Sequence, residues 1–508
     1  MESIIELINL LNVGRLKQNG AWSSVIEPGS KMELLFNAMV SGEVQNDESG
    51  AKLLYGTASA GSKYLNVKDR LRNRLLNSIF LFDFNNNNPS NRHQAYVECN
   101  RRWSVAMVLQ AKNAKRIAIE ELESLLEVTD HFEFTELSLS IVSALRLHYG
   151  SVQGDSKRYM HYRERFQHLQ MVWLRETKAE DLYTHLVAHF TNSKTTKSDI
   201  SDLAAQYYRD LEADLLSDNT FRLQLCGFLI QTVQWSSIND YRQTAVVCEE
   251  AIAFFKSKPF DSNLPQQIFY YQLLVCCIQM REFERGAAIY EGYAALFEEG
   301  SFNWLKLQES YYILCMHTRA YAQARATCLR VAPYTRIHNS LPAHIVEMWK
   351  IYEAYVQFLE RVGKLPESEQ SVKFRQARFL NEIPLFSKDK RGMNIPILVL
   401  QILFSISDHD YAKTIDRIEA IDKYCGRYLT KGDNFRSNCF IKLLLTIPAA
   451  SFHREGVLRR SEKLLEQLHS VPLEVAYQTH EIEIIPYEDL WELVMGDLEN
   501  KIYKRGSK

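Results

Sequence analysis

The sequence contains few of the residues that interrupt helices, with 20 glycines and 12 prolines among 508 residues. Both counts fall below the average usage of roughly 7% for glycine and 5% for proline. Alternation of polar and apolar residues typical of strands is scarce, whereas long amphipathic runs are common. These features exclude a mainly β architecture, and we predict that nearly all of the chain is helical.

No excess of charge of one sign is present. Sixty basic and 62 acidic residues leave a formal net charge of −2. A chain so close to neutrality has no global attraction to nucleic acid or to an anionic membrane. Binding to either would therefore depend on a local cluster of basic residues.

Long apolar runs and paired cysteine motifs are absent as well. The longest strongly apolar run extends from Ile395 to Ile406, well short of the roughly 18 residues that cross a bilayer. The amino-terminal stretch carries Glu2 and Glu6 and lacks the basic region of a secretion signal. The nine cysteines include no C-x-x-C pair, which is typical of free thiols in a reducing compartment. We therefore expect a cytoplasmic protein without a membrane span.

Sequence signatures of common catalytic sites are not found. The chain has no Walker-type phosphate loop, no G-x-G-x-x-G and no G-x-S-x-G. The nearest approach to a metal motif is the pair His185 and His189, one helical turn apart. Leu186 stands where a metalloprotease helix carries its glutamate base. We predict that the chain is not an enzyme and that it has no metal site and no other cofactor.

One arrangement recurs five times in the second half of the chain: an apolar residue at a turn, then a small residue three positions later. Successive small residues are 42, 38, 44 and 46 positions apart. Two antiparallel helices and their turns occupy an interval of this size. We therefore predict stacked helical hairpins. The five pairs are Tyr241/Thr244, Phe283/Gly286, Tyr321/Ala324, Leu365/Ser368 and Tyr411/Thr414.

A larger side chain follows each small residue four positions later. On a helix, residues four apart lie on the same face. The small residue lets the preceding helix approach closely, and the larger one extends the same packed face. We expect both sets to hold the hairpins together. The larger residues are Cys248, Tyr290, Cys328, Val372 and Ile418.

The clearest copies of this pattern, at 269–293 and 310–331, resemble the second helices of the tetratricopeptide-like superfamily of helical repeats. The sequence pattern supports the resemblance over 220–425, whereas over 93–220 only the helical architecture supports it. It is divergent, because the steps exceed the 34-residue period and the Trp-Leu-Gly-Tyr signature is not reproduced. It implies an all-α fold, a right-handed α-solenoid of antiparallel helical hairpins. An irregular all-helical bundle with similar turns is the alternative.

Breaks in the helical pattern divide the chain into three predicted regions. An N-terminal helical region covers 1–84 and ends before a run of four asparagines and a proline, residues that favour turns. The helical-repeat solenoid follows at 93–480. A C-terminal capping helix with a basic tail occupies 481–508, and we predict that its helix begins after Pro486.

The resemblance also implies a function, because stacked hairpins leave a long surface suited to an extended peptide or another protein. We therefore expect a non-catalytic protein- or peptide-binding scaffold. Adjacent residues on a helix point about 100° apart, so one tyrosine of each pair at 270–271 and 311–312 is expected to be exposed. The candidate partner contacts are Tyr271, Tyr312, Tyr352 and Tyr355.

An alternative function rests on the N-terminal region. Residues 46–55 predict a short helix, and a longer basic helix follows the segment GTASAGS, an arrangement reminiscent of a helix-turn-helix. The chain would then be a regulator that contacts nucleic acid through this module and senses a ligand or partner through its repeats. The candidate contacts are Lys63, Lys68, Arg70, Arg72 and Arg74.

Overall fold

A computed structural model shows that the described part of the chain is helical throughout. No β-strand occurs among these residues, and one isolated bridge joins Asn91 to Asp261. The predicted all-α fold class is therefore confirmed. The structure describes residues 2–10, 26–57, 59–79, 91–192, 197–337, 342–366, 394–428, 435–473, 475, 482–500 and 503.

The chain divides into two compact units, and the first comprises Met1–Gln170 and Pro259–Asp261. The division falls inside a long helix, whereas the boundary predicted from the asparagine run lies outside the described residues. A π-helical turn, His148–Gln153, precedes that long helix. The helices in this part of the chain are α1 (Glu2–Leu10), α2 (Lys31–Val40), α3 (Asp47–Tyr55), α4 (Ser62–Ser78), α5 (Arg92–Ala111), α6 (Lys115–His131), α7 (Thr135–Leu147) and α8 (Ser156–Asn192).

The second unit comprises Met171–Lys258 and Ser262–Lys508. It contains the end of α8 and the remaining helices. These are α9 (Lys197–Ser217), α10 (Phe221–Ser237), α11 (Tyr241–Lys256), α12 (Asn263–Met280), α13 (Phe283–Tyr293), α14 (Phe302–His317), α15 (Tyr321–Ile337), α16 (Ala343–Arg361), α17 (Asn394–Ser407), α18 (Tyr411–Tyr428), α19 (Phe435–Ala449), α20 (Arg454–His469) and α21 (Tyr487–Asp497).

The first four helices enclose a hydrophobic core of their own. Leu35 and Phe36 of α2 are fully buried against Leu71 and Leu75 of α4. Helix α2 packs on α1, α3 and α4. The buried residues of α4 recur at helical spacing and form one face of the helix, whereas most of its other residues are polar.

Helices that follow one another along the chain pack together. Each helix from α9 to α13 contacts its successor, and so do α14 to α20. In addition, α12 packs on α14, which lies two helices further on. Many packed helical hairpins result, an arrangement consistent with a helical-repeat fold. They share a large core in the second unit that extends from Leu274 to Leu498.

The same turn follows seven of the described helices. One residue adopts a left-handed conformation with φ between 54° and 71°. The N–H of the next residue then donates to the carbonyl five positions earlier, at 2.8–3.0 Å. This is the Schellman arrangement that ends many helices. The left-handed residues are Asn113, Glu133, Asn239, Arg281, Arg319, Gly363 and His409.

The recurring pairs predicted from the sequence begin four of the helices after these turns. Tyr241, Phe283, Tyr321 and Tyr411 are each the first residue of a helix. The small residue three positions later donates its N–H to the residue that ends the turn. Ser368 and Val372 of the fifth copy lie outside the described residues. The buried members of the other copies are Thr244, Gly286, Ala324, Thr414, Cys248, Tyr290, Cys328 and Ile418.

Residues 482–500 and Tyr503, called the C-terminal segment below, lie against several of the turns in the second unit. Helix α21 within it packs on α17, α19 and α20. Ser407, at the end of α17, donates to Asp497 Oδ2 at 2.8 Å, and Tyr503 N–H donates to Ser451 O at 2.9 Å. As predicted, this helix begins directly after Pro486. Its contacts extend over hairpins far apart in sequence.

No helix in the described ranges combines the length and the hydropathy that crossing a bilayer requires. The apolar run from Ile395 to Ile406 lies in α17, where nearly every residue is buried. The apolar side chains of this run are therefore part of the protein core.

Candidate functional site

The structure places three of the four tyrosines predicted to contact a partner inside the core. Tyr312, Tyr352 and Tyr355 are each at most 2% exposed. The expectation that one member of the pair Tyr311–Tyr312 is exposed is wrong, because both are buried. Helix α14 packs against α12, α13 and α15, so its side chains are buried in almost every direction.

These buried tyrosines link helices through hydrogen bonds. Tyr312 Oη donates to the carbonyl of Tyr352 at 3.0 Å, and Tyr352 Oη donates to Glu309 Oε1 at 2.7 Å. Tyr355 Oη donates to the carbonyl of Pro396 at 3.0 Å. Burying a tyrosine requires such a partner for its hydroxyl. The three rings therefore belong to the packing of α14, α16 and α17.

The fourth candidate, Tyr271, is half-buried on α12. Its neighbour Tyr270 is 2% exposed and stacks on Tyr293 with ring centroids 3.5 Å apart. The two adjacent tyrosines thus differ in exposure, as expected from their angular separation on the helix.

The basic residues predicted on α4 do not form one continuous surface. Lys68 is half-buried and donates to both oxygens of Asp47 on α3, at 2.8 and 3.0 Å. This hydrogen bond holds the pKa of Asp47 below its usual value. Lys68 is therefore engaged in linking α3 to α4. The exposed candidates are Lys63, Arg70, Arg72 and Arg74.

Helical geometry separates these four exposed bases into two groups. At about 100° per residue, Lys63, Arg70 and Arg74 fall on one flank of α4, and Arg72 falls on the opposite flank. Six residues separate α3 from α4, from Gly56 to Gly61, whereas the turn of a helix-turn-helix has 3–4 residues. The connection thus differs from the predicted motif, but one flank still presents three bases.

A cleft of about 490 Å³ opens in the second unit, at the point where three helix ends meet. This volume lies within the roughly 300–1,000 Å³ of small-ligand pockets. The end of α12 and its turn contribute one wall, the end of α20 and the residues after it a second, and the first turns of α21 a third. The lining residues are Gln279, Met280, Arg281, His469, Pro472, Leu473, Glu488, Asp489 and Glu492.

A buried ionic cluster holds the third wall of the cleft in place. Arg436 of α19 is fully buried and donates to Glu483 at 2.5 and 3.0 Å, and to Glu488 at 2.6 and 2.9 Å. It also donates to the carbonyl of Val471 at 2.7 Å. Paired hydrogen bonds from one guanidinium to two carboxylates fix both in position. They set where the first turn of α21 lies.

The carboxylates of the cleft are partly neutralised by arginines. Burial alone would raise the pKa of Glu488, but the hydrogen bonds and charge of Arg436 outweigh it and hold this pKa below its usual value. Arg319 Nη2 donates to Asp489 at 2.5 Å and to Glu492 at 2.8 Å. Arg281, which lines the cleft, lies 3.8 Å from Glu488.

Gln279 is the polar residue of the cleft whose hydrogen bonding is incomplete. Its side chain is 5% exposed, and Oε1 accepts no hydrogen bond from the residues that the structure describes. A buried acceptor left unpaired costs about 1–3 kcal/mol. Oε1 itself has almost no accessible surface, so this unpaired acceptor belongs to the packed interior and is not offered to a ligand in the cleft.

No cluster of histidine, cysteine, aspartate or glutamate suited to a metal ion occurs in the described ranges. His185 Nδ1 lies 2.7 Å from Tyr207 Oη, so this histidine of the nearest metal-like motif pairs with a tyrosine. The chain matches no protein-family model, no curated protein and no solved structure.

Sequence reasoning missed the cleft because its walls come from segments far apart in the chain. The signal that was present is the acidic first turn of α21, Glu488 and Asp489, directly after Pro486. Acidic residues at a helix N-terminus are expected from the helix dipole alone, so this signal does not identify a site. Only the fold brings these residues beside Gln279.

Proposed function

We propose that the chain is a non-catalytic scaffold of the cytoplasm that binds a protein or peptide through a right-handed solenoid of antiparallel helical hairpins. The observation that carries this proposal is the recurrence of one Schellman turn after seven described helices. The last five of these turns, at Asn239, Arg281, Arg319, Gly363 and His409, are 42, 38, 44 and 46 positions apart, the intervals found for the small residues in the sequence. A repeated turn with a buried small residue after it is what stacked repeats require. This supports a divergent relationship to tetratricopeptide-like repeats.

The cleft is the surface that this proposal offers to a peptide. Tyr312, Tyr352 and Tyr355 are excluded as contacts by their burial. The cleft combines apolar residues, such as Met280 and Leu473, with charged residues, and its volume suits one or two side chains of a partner. A longer partner would extend from it over neighbouring surfaces.

Binding to purified components tests the proposal. The full chain is used as bait in an extract of its native cells after nuclease treatment, and each captured protein is then purified and titrated against the chain. We expect a saturable complex with a defined stoichiometry. Failure of every purified candidate to bind, or turnover of a substrate by the chain alone, would overturn the scaffold proposal.

A regulator that contacts nucleic acid is the second candidate, favoured by the three bases on one flank of α4. Duplex DNA and RNA are therefore titrated with the full chain in the same series, across salt concentrations. For a scaffold we expect no salt-sensitive retention of either duplex. Salt-sensitive retention that is lost in the Arg70→Glu, Arg74→Glu double variant would establish the regulator in its place.

A further inference from the structure

Two pairs of tyrosines in the described part of the second unit stack at van der Waals distance. Tyr270 of α12 lies against Tyr293 at the end of α13, with ring centroids 3.5 Å apart and an interplanar angle of 19°. The rings of Tyr290 and Tyr311 are 3.8 Å apart at an angle of 5°. Aromatic pairs more often have centroids about 4.5–7 Å apart. Carbon atoms of the two phenols are therefore in direct contact in both pairs.

The two pairs differ in their access to solvent. Tyr293 is half-buried, and Tyr270 is 2% exposed. In the other pair, Tyr290 is 6% exposed and Tyr311 is 7% exposed. A reagent in solution therefore reaches the first pair at Tyr293, whereas both members of the second pair are protected by burial.

Lys256, an exposed residue in the last turn of α11, activates Tyr293. Its Nζ donates to Tyr293 Oη at 2.8 Å and lies 4.6 Å from the centroid of that ring. This hydrogen bond from a cation holds the pKa of Tyr293 below its usual value. A phenolate gives up an electron more readily than a phenol does, so Tyr293 is the most easily oxidised of the four tyrosines.

The geometry points to an intramolecular dityrosine cross-link between Tyr270 and Tyr293, formed when the chain meets a peroxidase-type one-electron oxidant. Tyr293 loses an electron to the oxidant and its hydroxyl proton to solvent. The resulting radical takes a hydrogen atom from the hydroxyl of Tyr270, and Tyr293 is then oxidised a second time. The two phenoxyl radicals join through a C–C bond between ring carbons ortho to the oxygens, and the two displaced ring hydrogens restore the hydroxyl groups. Hydrogen peroxide accepts the two electrons and two protons and becomes two molecules of water.

Oxidation of the full chain tests this modification site. The dilute protein is treated with a heme peroxidase and limiting hydrogen peroxide, under conditions that couple free N-acetyltyrosine, and the monomer is isolated, digested and analysed by mass spectrometry. We expect a joined peptide that contains Tyr270 and Tyr293, lighter than its two parts by two hydrogen atoms, and the blue fluorescence of dityrosine. Absence of this peptide would overturn the inference, and so would an equal yield of a peptide that joins Tyr290 to Tyr311.

Three variants test the roles of single side chains. Tyr293→Phe keeps the stacked ring and removes the hydroxyl, so the joined peptide should be lost. Lys256→Met keeps an unbranched side chain and removes the cation, so the joined peptide should form several-fold more slowly, and an unchanged rate would contradict the activation of Tyr293. Tyr271→Phe, next to Tyr270 on the same helix, is the control and should react like the natural chain.

The cross-link would close the hairpin of α12 and α13 covalently, independently of the proposed binding function. A covalent bond between two distant residues stabilises a fold mainly by restricting the unfolded chain. The cross-linked monomer should therefore have a higher thermal midpoint than the untreated chain, whereas Tyr293→Phe treated in the same way should keep its own midpoint. A lowered midpoint of the cross-linked monomer would show that the bond distorts the hairpin and would contradict the stacked geometry.

Discussion

Gly286 shows how one atom determines the approach of neighbouring helices. A Cβ atom at this position would overlap Leu314 Cδ2 and lie 3.1 Å from Cys277 Cβ. Leu314 is fully buried on α14 and Cys277 is fully buried on α12. The absence of a side chain at Gly286 therefore lets α13 lie close to both helices. The sequence pattern marked this position as small, and the structure gives the reason.

Replacing Gly286 by alanine should destabilise the second unit by about 1–3 kcal/mol, the usual cost of overpacking a core. Chemical denaturation measures the change. Gly292→Ala, in the same helix, is the matched control because nothing lies within 4 Å of its added Cβ. Gly292 lies in the last turn of α13, so that variant should change stability by less than the roughly 0.5–1 kcal/mol expected in a helix interior. Equal effects at the two positions would contradict the packing explanation.

Single helices could be located from the sequence because their starts carry a local signal. Tyr241, Phe283, Tyr321 and Tyr411 begin helices at the predicted residues. The turns before them were not predicted as left-handed, because none of the four has glycine at the left-handed position, which Asn239, Arg281, Arg319 and His409 occupy. Arginine is uncommon in this conformation, so Arg281 and Arg319 give no turn signal in the sequence, whereas Asn239 and His409 are residue types that adopt it more often.

At Arg281 and Arg319 the backbone conformation favours glycine, whereas the ion pairs of the side chain favour arginine. Glycine would adopt the conformation at lower cost, but Arg281 and Arg319 also reach the acidic residues of α21. Arg319 pairs with Asp489, whose side chain is 7% exposed. Glycine at either turn could not make these ion pairs with α21.

Two substitutions at Arg319 separate these effects. Arg319→Ala loses the ion pairs and keeps the backbone strain, whereas Arg319→Gly loses the pairs and relieves the strain. We expect both variants to be less stable than the natural chain, and glycine to be more stable than alanine by about 1 kcal/mol. Urea denaturation measures both. Equal stability of the two variants would exclude strain at this residue.

Contacts between residues far apart in the chain could not be predicted from the sequence. In an ideal repeat array each repeat contacts only its neighbours, whereas Arg319 and Asp489 are 170 positions apart. The spacing of apolar and small residues along the sequence does not predict such pairs. The packing of α14 on several helices likewise buried Tyr312, which a local argument had left open to solvent. Helix positions were therefore predictable, but the cleft and the burial of these tyrosines were not.

Removing residues 482–508 tests how far the C-terminal segment supports the second unit. Its loss would uncover apolar partners of Tyr487 and Trp491 and leave Arg436 buried without its carboxylates. Removing one side of a buried ion pair costs about 3–5 kcal/mol. We therefore expect faster hydrogen exchange at the turns around Arg281 and Arg319, measured by mass spectrometry.

A chain that ends after Tyr503 is the control for this deletion and should exchange like the full chain. If faster exchange were confined to 435–470, the segment would act only as a cap on its nearest hairpin. Exchange that rises at 277–290 and 315–328 would show that it supports hairpins distant in sequence.

The contact between Arg319 and Asp489 also has a consequence for synthesis in the cell. At roughly 5–20 residues per second, Arg319 leaves the ribosome on the order of 10–30 s before Asp489 does. Helices α17, α19 and α20 leave the ribosome within this interval, and the faces that α21 later covers stay without that helix until it follows. Exposed apolar surface of nascent proteins is aggregation-prone. We expect the yield of folded protein to depend on chaperones that act during translation.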